Sequence, residues 1–272
     1  MKQFVMLKEL TAVGPRSSWA VMRSVIHALF LREAVTRLSL GRGGWVWIII
    51  EQGEHIVLLV VWHGIVQHHM IPGVNVPLFI GLGLLPYYMM KSAALRGLDA
   101  IPANRALFVY RQIKPIDAVI ARAMLEGLIY LVVGTVLIVA FALCGVDVSV
   151  GHPLQVAVMF VLFWLFGLGI GLTLSVAAEL IHEIGSIARM TFGIVYYASS
   201  ALYPSSWIPV SWQSVYFLNP VVHAIEFMRA GYLVSYRPNN LASLTYLMTW
   251  IGAWLVTGLF LHVRFAKRLV ER

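Results

Sequence analysis

Long apolar runs alternate with short polar stretches along most of this chain. A helix needs about 20 apolar residues to cross a bilayer, and six runs approach or exceed that length: 45–66, 78–95, 117–143, 154–178, 187–203 and 243–263. The pattern therefore predicts an all-α membrane protein with six transmembrane helices. Before the first run, Trp19, Met22, Ile26 and Leu29 recur at three- and four-residue spacing while Arg16, Arg23, His27, Arg32 and Arg37 fall largely elsewhere. That spacing predicts an amphipathic helix lying on the inner membrane surface, with Glu33 and Arg37 as an i,i+4 pair. The stretch 96–115 is too polar to span but carries Leu98, Ile101, Leu107, Phe108 and Val109, and predicts a short half-apolar helix between two spans. After Tyr203 the pattern breaks at Pro204, Pro209 and Pro220. Proline ends or kinks helices, so 204–240 is expected to form short re-entrant outer helices before the last span. Asn219 is a good N-cap and Pro220 suits the first helical turn, so one of these should run from Pro220 to about Tyr232.

Charge fixes the orientation. Of 20 Lys and Arg, seven precede Gly43, six lie between Lys91 and Arg122, and four lie from Arg264 onward. Basic loops tend to stay in the cytoplasm. Both termini are then cytoplasmic, as six spans require, and so is 96–115. The loops 67–77 and 145–153 contain no Lys or Arg and read as external. The segment 1–44 is expected to be a cytoplasmic amphipathic interface segment, and 45–272 the membrane domain.

Composition agrees with this picture. The chain is 60% hydrophobic and 12% charged, against about 25% charged in soluble domains. The net charge of +8 is explained by the positive-inside pattern, not by nucleic-acid binding. Cys144 is the single cysteine, so no internal disulfide and no cysteine-based metal site is expected. The first apolar run starts too far in for a cleavable signal.

Several intramembrane polar groups invite a functional reading. Glu51, Glu54 and His55 share one face of the first span. Lys91 lies at a similar depth on the second span and could pair with either glutamate. Ion-pair packing and a polar conduit lining both explain them. Glu126 has the same two readings. Tyr196 and Tyr197 lie inside the fifth span, where an interfacial aromatic belt fits less well; an aromatic face with a polar tip can also stack on a sugar ring. His55, His63, His68 and His69 raise a haem or metal reading, but His223 and His262 are poor partners at the required depth. His182-Glu183 is not a zinc-protease helix motif. No GxxxxGK[ST] loop occurs, so any ATP would have to be handled by another polypeptide.

The order of these parts resembles a type-2 ABC exporter permease. The segments LREAVTRLSLGRGGWVWIIIEQ at 31–52 and FLNPVVHAIEFMRAGY at 217–232 resemble the inner-membrane permease of capsular polysaccharide exporters, the KpsM type. The resemblance implies a transport subunit, not an enzyme, in the bacterial inner membrane. It implies a homodimer of this chain with two copies of an ABC ATPase that bind ATP and Mg, and export of a lipid-linked, anionic polysaccharide. Partners in the periplasm and outer membrane are implied as well. Carried over by position, the substrate pathway takes Glu51, Glu54, His55, Trp62, Lys91, Tyr196, Tyr197 and Tyr203, with Arg229 where a polyanion would emerge. ATPase coupling takes Asp99, Arg105, Phe108 and Arg111, with Arg23 of the amphipathic helix as a second contact. O-antigen, teichoic acid or a small amphipathic drug are alternative cargoes for the same architecture. A membrane-embedded enzyme or haem protein is the alternative from another class.

Overall fold

The computed structural model describes residues 17–38, 44–66 and 75–271. The sequence expectations for residues 1–16 and for most of the loop 67–77 lie outside these residues. The described residues form eleven α-helices, two short 3-10 turns and no strands. The helices are α1 (Ser18–Leu38), α2 (Gly44–Val66), α3 (Val76–Leu98), α4 (Ala100–Asn104), α5 (Pro115–Leu143), α6 (Pro153–Leu180), α7 (Ile184–Tyr197), α8 (Val210–Tyr216), α9 (Pro220–Tyr232), α10 (Leu244–Arg264) and α11 (Ala266–Glu271). Among the described residues four helices, α3, α5, α6 and α10, are long and apolar enough to cross a membrane.

α3 lies at the centre. Phe79, Ile80, Leu84, Tyr87, Met89 and Met90 are fully enclosed, and the helix packs against α2, α5, α6 and α9. The side-chain oxygen of Asn75 accepts the Leu78 N–H at 3.2 Å and starts it. Pro86 sits in its interior. α6 packs on α3 and α10 through glycines. A Cβ at Gly167 would come within 2.6 Å of the Met90 carbonyl oxygen, and one at Gly169 within 2.9 Å of the Leu255 nitrogen. From the α10 side, a Cβ at Gly258 would meet Leu172 at 2.5 Å. Small residues let helix backbones approach closely where lipid offers no hydrophobic drive.

Two expectations need correction. The run 187–203 does not form one helix. α7 covers 14 residues and stops at Tyr197, about 21 Å of helix against a hydrocarbon core of about 30 Å. Residues 198–203 then turn irregularly, with Ser200 at φ 62°. On α1 the buried positions are Val25 and Leu29, whereas Trp19 is exposed. Val25 and Leu29, four residues apart, meet α5; of the expected stripe Leu29 is buried, Met22 and Ile26 are half-buried, and Trp19 lies outside the contact.

At the prolines of 204–240 the chain breaks into short helices. α9 begins at Pro220, and the Asn219 side-chain oxygen accepts the Val221 N–H at 3.0 Å. His223 fastens α9 to the start of α10. Its Nε2–H donates to the Phe217 carbonyl at 2.7 Å, and its Nδ1 accepts the Ser243 N–H at 2.9 Å.

Candidate functional site

The basic end of the bundle is built around residues 96–115. α3 runs on to Leu98, and the Asp99 N–H caps it by donating to the Leu95 and Gly97 carbonyls. α4 follows, then a 3-10 turn over Arg105–Val109. The chain reverses where the Ile113 N–H donates to the Tyr110 carbonyl at 2.9 Å. α5 starts at Pro115, with the Asp117 carboxylate accepting the Lys114 N–H at 2.9 Å.

Opposite charges hold this segment in the frame. Arg189 of α7 donates to both Asp99 carboxylate oxygens at 2.9 Å. Arg105 donates to both oxygens of Glu179, at the end of α6, at 2.9 and 2.7 Å. In each pair one guanidinium nitrogen reaches both carboxylate oxygens, a charge-assisted contact that ties the segment to its neighbours. Arg122 donates to the Asp99 carbonyl at 2.8 Å. Phe108 is buried beside Ile101, Ala118 and Leu269. Val109, Tyr110 and Arg111 at the tip are left exposed.

α1 is tied to the same end. The expected Glu33–Arg37 pair forms at 3.8 Å, and Glu33 also meets Arg122 at 3.2 Å. Arg37 reaches Glu126 at 2.5 Å, with Arg96 3.8 Å from the same carboxylate. Glu126 is only 1% exposed, so it is a packed ion-pair centre. Arg32 donates to the Asn104 side chain at 3.0 Å. Arg23 points outward. The amphipathic helix and the 96–115 segment therefore form one charged plate, with an apolar and basic tip free to meet another surface.

The expected pathway residues separate into two groups. Glu51, Glu54, His55 and Trp62 stand exposed on α2, while Ile56 and Val60 of that helix are buried. Neither glutamate pairs with Lys91. The Lys91 ammonium lies 5.4 Å from the centroid of the Tyr88 ring instead. The reason lies in the register of α2. Gln52 faces the bundle and accepts the Tyr130 hydroxyl at 2.9 Å, and Tyr130 also meets Ser92 at 3.0 Å. A helix that turns Gln52 inward turns Glu51 and Glu54 away.

The tyrosines form a connected aromatic cluster. Tyr88 contacts Tyr196 at 5.8 Å between centroids, Tyr196 contacts Tyr197 at 4.9 Å, and His55 meets Tyr88 edge-on at 5.4 Å. Tyr196 is 8% exposed and Tyr197 67%. Ile187, Met190, Ile194 and Tyr197 make one open stripe along α7. Tyr203 is half-buried and donates its hydroxyl to the Tyr197 carbonyl.

Arg229 is a correction. It is 0% exposed, so it is not a surface cation at an exit. Its guanidinium stacks 3.6 Å from the Phe79 ring centroid. It donates to the carbonyls of Ala201 at 2.9 Å, Phe79 at 3.3 Å and Tyr203 at 3.4 Å. Those carbonyls belong to the irregular turn after α7 and to the start of α3. Gly83 makes the approach possible, because a Cβ there would lie 2.4 Å from the Ala201 oxygen and 2.6 Å from the guanidinium. One turn earlier on α9, Glu226 is fully buried. It accepts the Tyr236 hydroxyl at 2.8 Å and the Asn239 N–H at 3.0 Å. Glu226, Tyr236 and Asn239 escaped the sequence reading. The available signal was Glu226 and Arg229 at i,i+3 in an otherwise apolar short helix.

The comparisons with known proteins agree with this architecture. Residues 77–233 match the family model described as ABC-2 type transporter. The chain is 33% identical over 247 residues to the polysialic acid transport protein KpsM of Escherichia coli, covering 91% of this chain and 95% of that one. It is 27% identical over 236 residues to the capsule polysaccharide export inner-membrane protein CtrC of Neisseria meningitidis, covering 84% and 86%. It is 25% identical over 261 residues to the capsule polysaccharide export inner-membrane protein BexB of Haemophilus influenzae, covering 93% and 95%. With more than half its length under the family model and near-complete alignment to KpsM, the chain belongs to the ABC-2 type transporter family.

Proposed function

We propose that this chain is the inner-membrane permease of an ATP-driven exporter of capsular polysaccharide. The observation that carries the reading is similarity along almost the whole chain to KpsM, CtrC and BexB, whose names specify polysialic acid transport or capsule polysaccharide export. On this reading the membrane domain 45–272 has six spans, with α2 and α7 added to the four long helices, both termini in the cytoplasm, and 204–240 dipping into the outer leaflet. Irregular backbone at that depth is tolerated where protein covers it, and the buried carbonyl clamp of Arg229 supplies such cover. The segment 1–44 with α1 forms the cytoplasmic interface.

The functional unit on this reading is a homodimer with two ABC ATPase subunits. The ATPases bind ATP and Mg, and this chain supplies the docking surface and the path. The tip Val109–Tyr110–Arg111 enters the ATPase surface, with Arg23 of α1 as a second contact. Asp99 and Arg105 act behind the tip, holding it to α7 and α6. The path takes the open faces of α2 and α7: Glu51, Glu54, His55, Trp62 and Tyr197, backed by Tyr196, Tyr203 and Lys91. Aromatic faces suit a sliding polymer, because stacking on a sugar ring demands little register. Where Gram-negative partners in the periplasm and outer membrane exist, they receive the polymer beyond it.

The test is reconstitution of the chain with its ATPase in proteoliposomes. A lipid-linked capsular polysaccharide should stimulate hydrolysis, and Tyr197→Ala should lose most of that stimulation while assembly stays intact. Stimulation by an O-antigen lipid, a teichoic acid precursor or an amphipathic drug, with none by the capsular glycolipid, would replace the proposed cargo.

A further inference from the structure

A second feature lies at the basic end of the bundle, beside the coupling tip. The turn into α5 and the C-terminal helix α11 enclose an open cavity of about 770 Å³. Three cations line it, Arg111 and Lys114 from the turn and Lys267 from α11. All three are exposed and none has an ion-pair partner among the described residues. Asp117, three residues after Lys114, is buried and accepts the Lys114 backbone N–H at 2.9 Å, so that carboxylate is already engaged. Apart from His262, which is buried against Ser175, the rest of the wall is apolar, including Ile113, Val263 and Val270.

The groove does not end at the cations. Val263 opens onto an uncovered stripe of α10, where Phe260 and Val256 follow at three- and four-residue spacing. α10 is one of the helices apolar and long enough to cross the membrane. One ligand shape matches this arrangement, an anionic head among lysines continuing into an alkyl chain along the outside of a spanning helix. Basic pockets at the cytoplasmic ends of spanning helices recognise acidic lipid headgroups in this way.

We propose that this groove binds an anionic glycerophospholipid of the inner leaflet, with its phosphate between Lys114 and Lys267 and an acyl chain along Val263, Phe260 and Val256. The site needs only that α10 spans the bilayer with its basic end in the cytoplasm, so it does not depend on the cargo. It places a lipid next to Arg111, at the root of the tip that the motor would contact, and makes α11 a sensor of leaflet charge.

The experiment uses the full chain purified in mild detergent with its ATPase. Wild type and Lys114→Ala/Lys267→Ala are titrated with dioleoylphosphatidylglycerol and, separately, dioleoylphosphatidylcholine, and binding is read by native mass spectrometry. Wild type should prefer the anionic lipid. The double variant should bind it about 30-fold more weakly, on the order of fivefold per lysine, with phosphatidylcholine binding unchanged. Should the double variant fail to assemble, Val263→Asp, at an exposed position, should lower binding of both lipids by interrupting the acyl track. Equal affinity of wild type and either variant for phosphatidylglycerol overturns the proposal. So does loss of the ATPase from the lysine variant with lipid binding retained, which would make the groove a motor contact.

Discussion

Replacing Arg229 tests whether a buried cation holds the outer half of this protein together. Methionine keeps much of the volume and removes the charge and all donors. The substitution strands the Ala201 carbonyl, which now accepts at 2.9 Å, and weakens the surroundings of the Phe79 and Tyr203 carbonyls at 3.3 and 3.4 Å. A hydrogen bond from a charged donor contributes about 1.5–3 kcal/mol, and the two longer contacts contribute less. Glu226 also loses a cation one helical turn away while staying fully buried. Removing one partner of a buried charged network costs about 3–5 kcal/mol, and we expect Arg229→Met to fall in that range. Against a total stability of about 5–15 kcal/mol, such a loss should show as reduced yield and an earlier denaturation midpoint in mixed micelles. Arg229→Lys should rescue little, because a single ammonium cannot reproduce the planar fork that reaches Ala201 and Tyr203 together. Export should fall only in proportion to the folded complex. A variant with full stability and lost export would refute the clamp and return Arg229 to the substrate path; a loss below about 1 kcal/mol would refute the energetic argument.

Other outcomes follow from the same geometry. Arg111→Glu should slow ATPase association by about tenfold at low salt, read by surface binding kinetics, whereas Arg105→Ala should cost no more than about 1 kcal/mol of stability because its pair with Glu179 is part-exposed. Gly167→Val should destabilise by about 1–3 kcal/mol, since its Cβ would lie 2.6 Å from the Met90 oxygen. Gly252→Ala, where nothing lies within 4 Å, should be neutral or stabilise by about 0.5–1 kcal/mol. The His223 Nδ1 must stay unprotonated to accept from Ser243. Its stabilising contribution is therefore present above about pH 6.5 and is lost as pH falls further. His223→Gln should flatten the acid limb of a stability–pH curve.

Much of the fold was legible because helix length and apolar runs carry their own signal. Asn219-Pro220 marked the start of α9 to the residue, and Pro115 and Pro153 open α5 and α6 where the apolar runs begin. The end of α7 was not legible. Residues 198–203 contain no glycine or proline, and the groups that hold their carbonyls lie far along the chain: Asn219 donates to Ala198 at 2.7 Å and Arg229 to Ala201 at 2.9 Å. Long-range partners of that kind leave no local pattern. The candidate site divides in the same way. The exposed tip around Arg111 and the Glu33–Arg37 pair follow from composition and spacing. The destination of Lys91 depended on which face of α2 turns inward, and that face carries Ile48, Gln52, Ile56 and Val60. A periodicity reading averages over such a choice.

The central position of α3 has a mechanical consequence. Phe79, near one end, stacks on Arg229, and Leu98, at the other end, leads directly into α4 and the exposed tip. The two points are 19 residues apart, about 28 Å along the axis. Glycine contacts lock the same helix to α6 along its second half. A push delivered at Val109–Arg111 thus acts on a strut whose far end grips the outer turn through one guanidinium. If the tip is the motor contact, as proposed, the stroke at the tip and a movement of the turn after α7 would be two ends of a single displacement, with Pro86 as the place where the strut can flex.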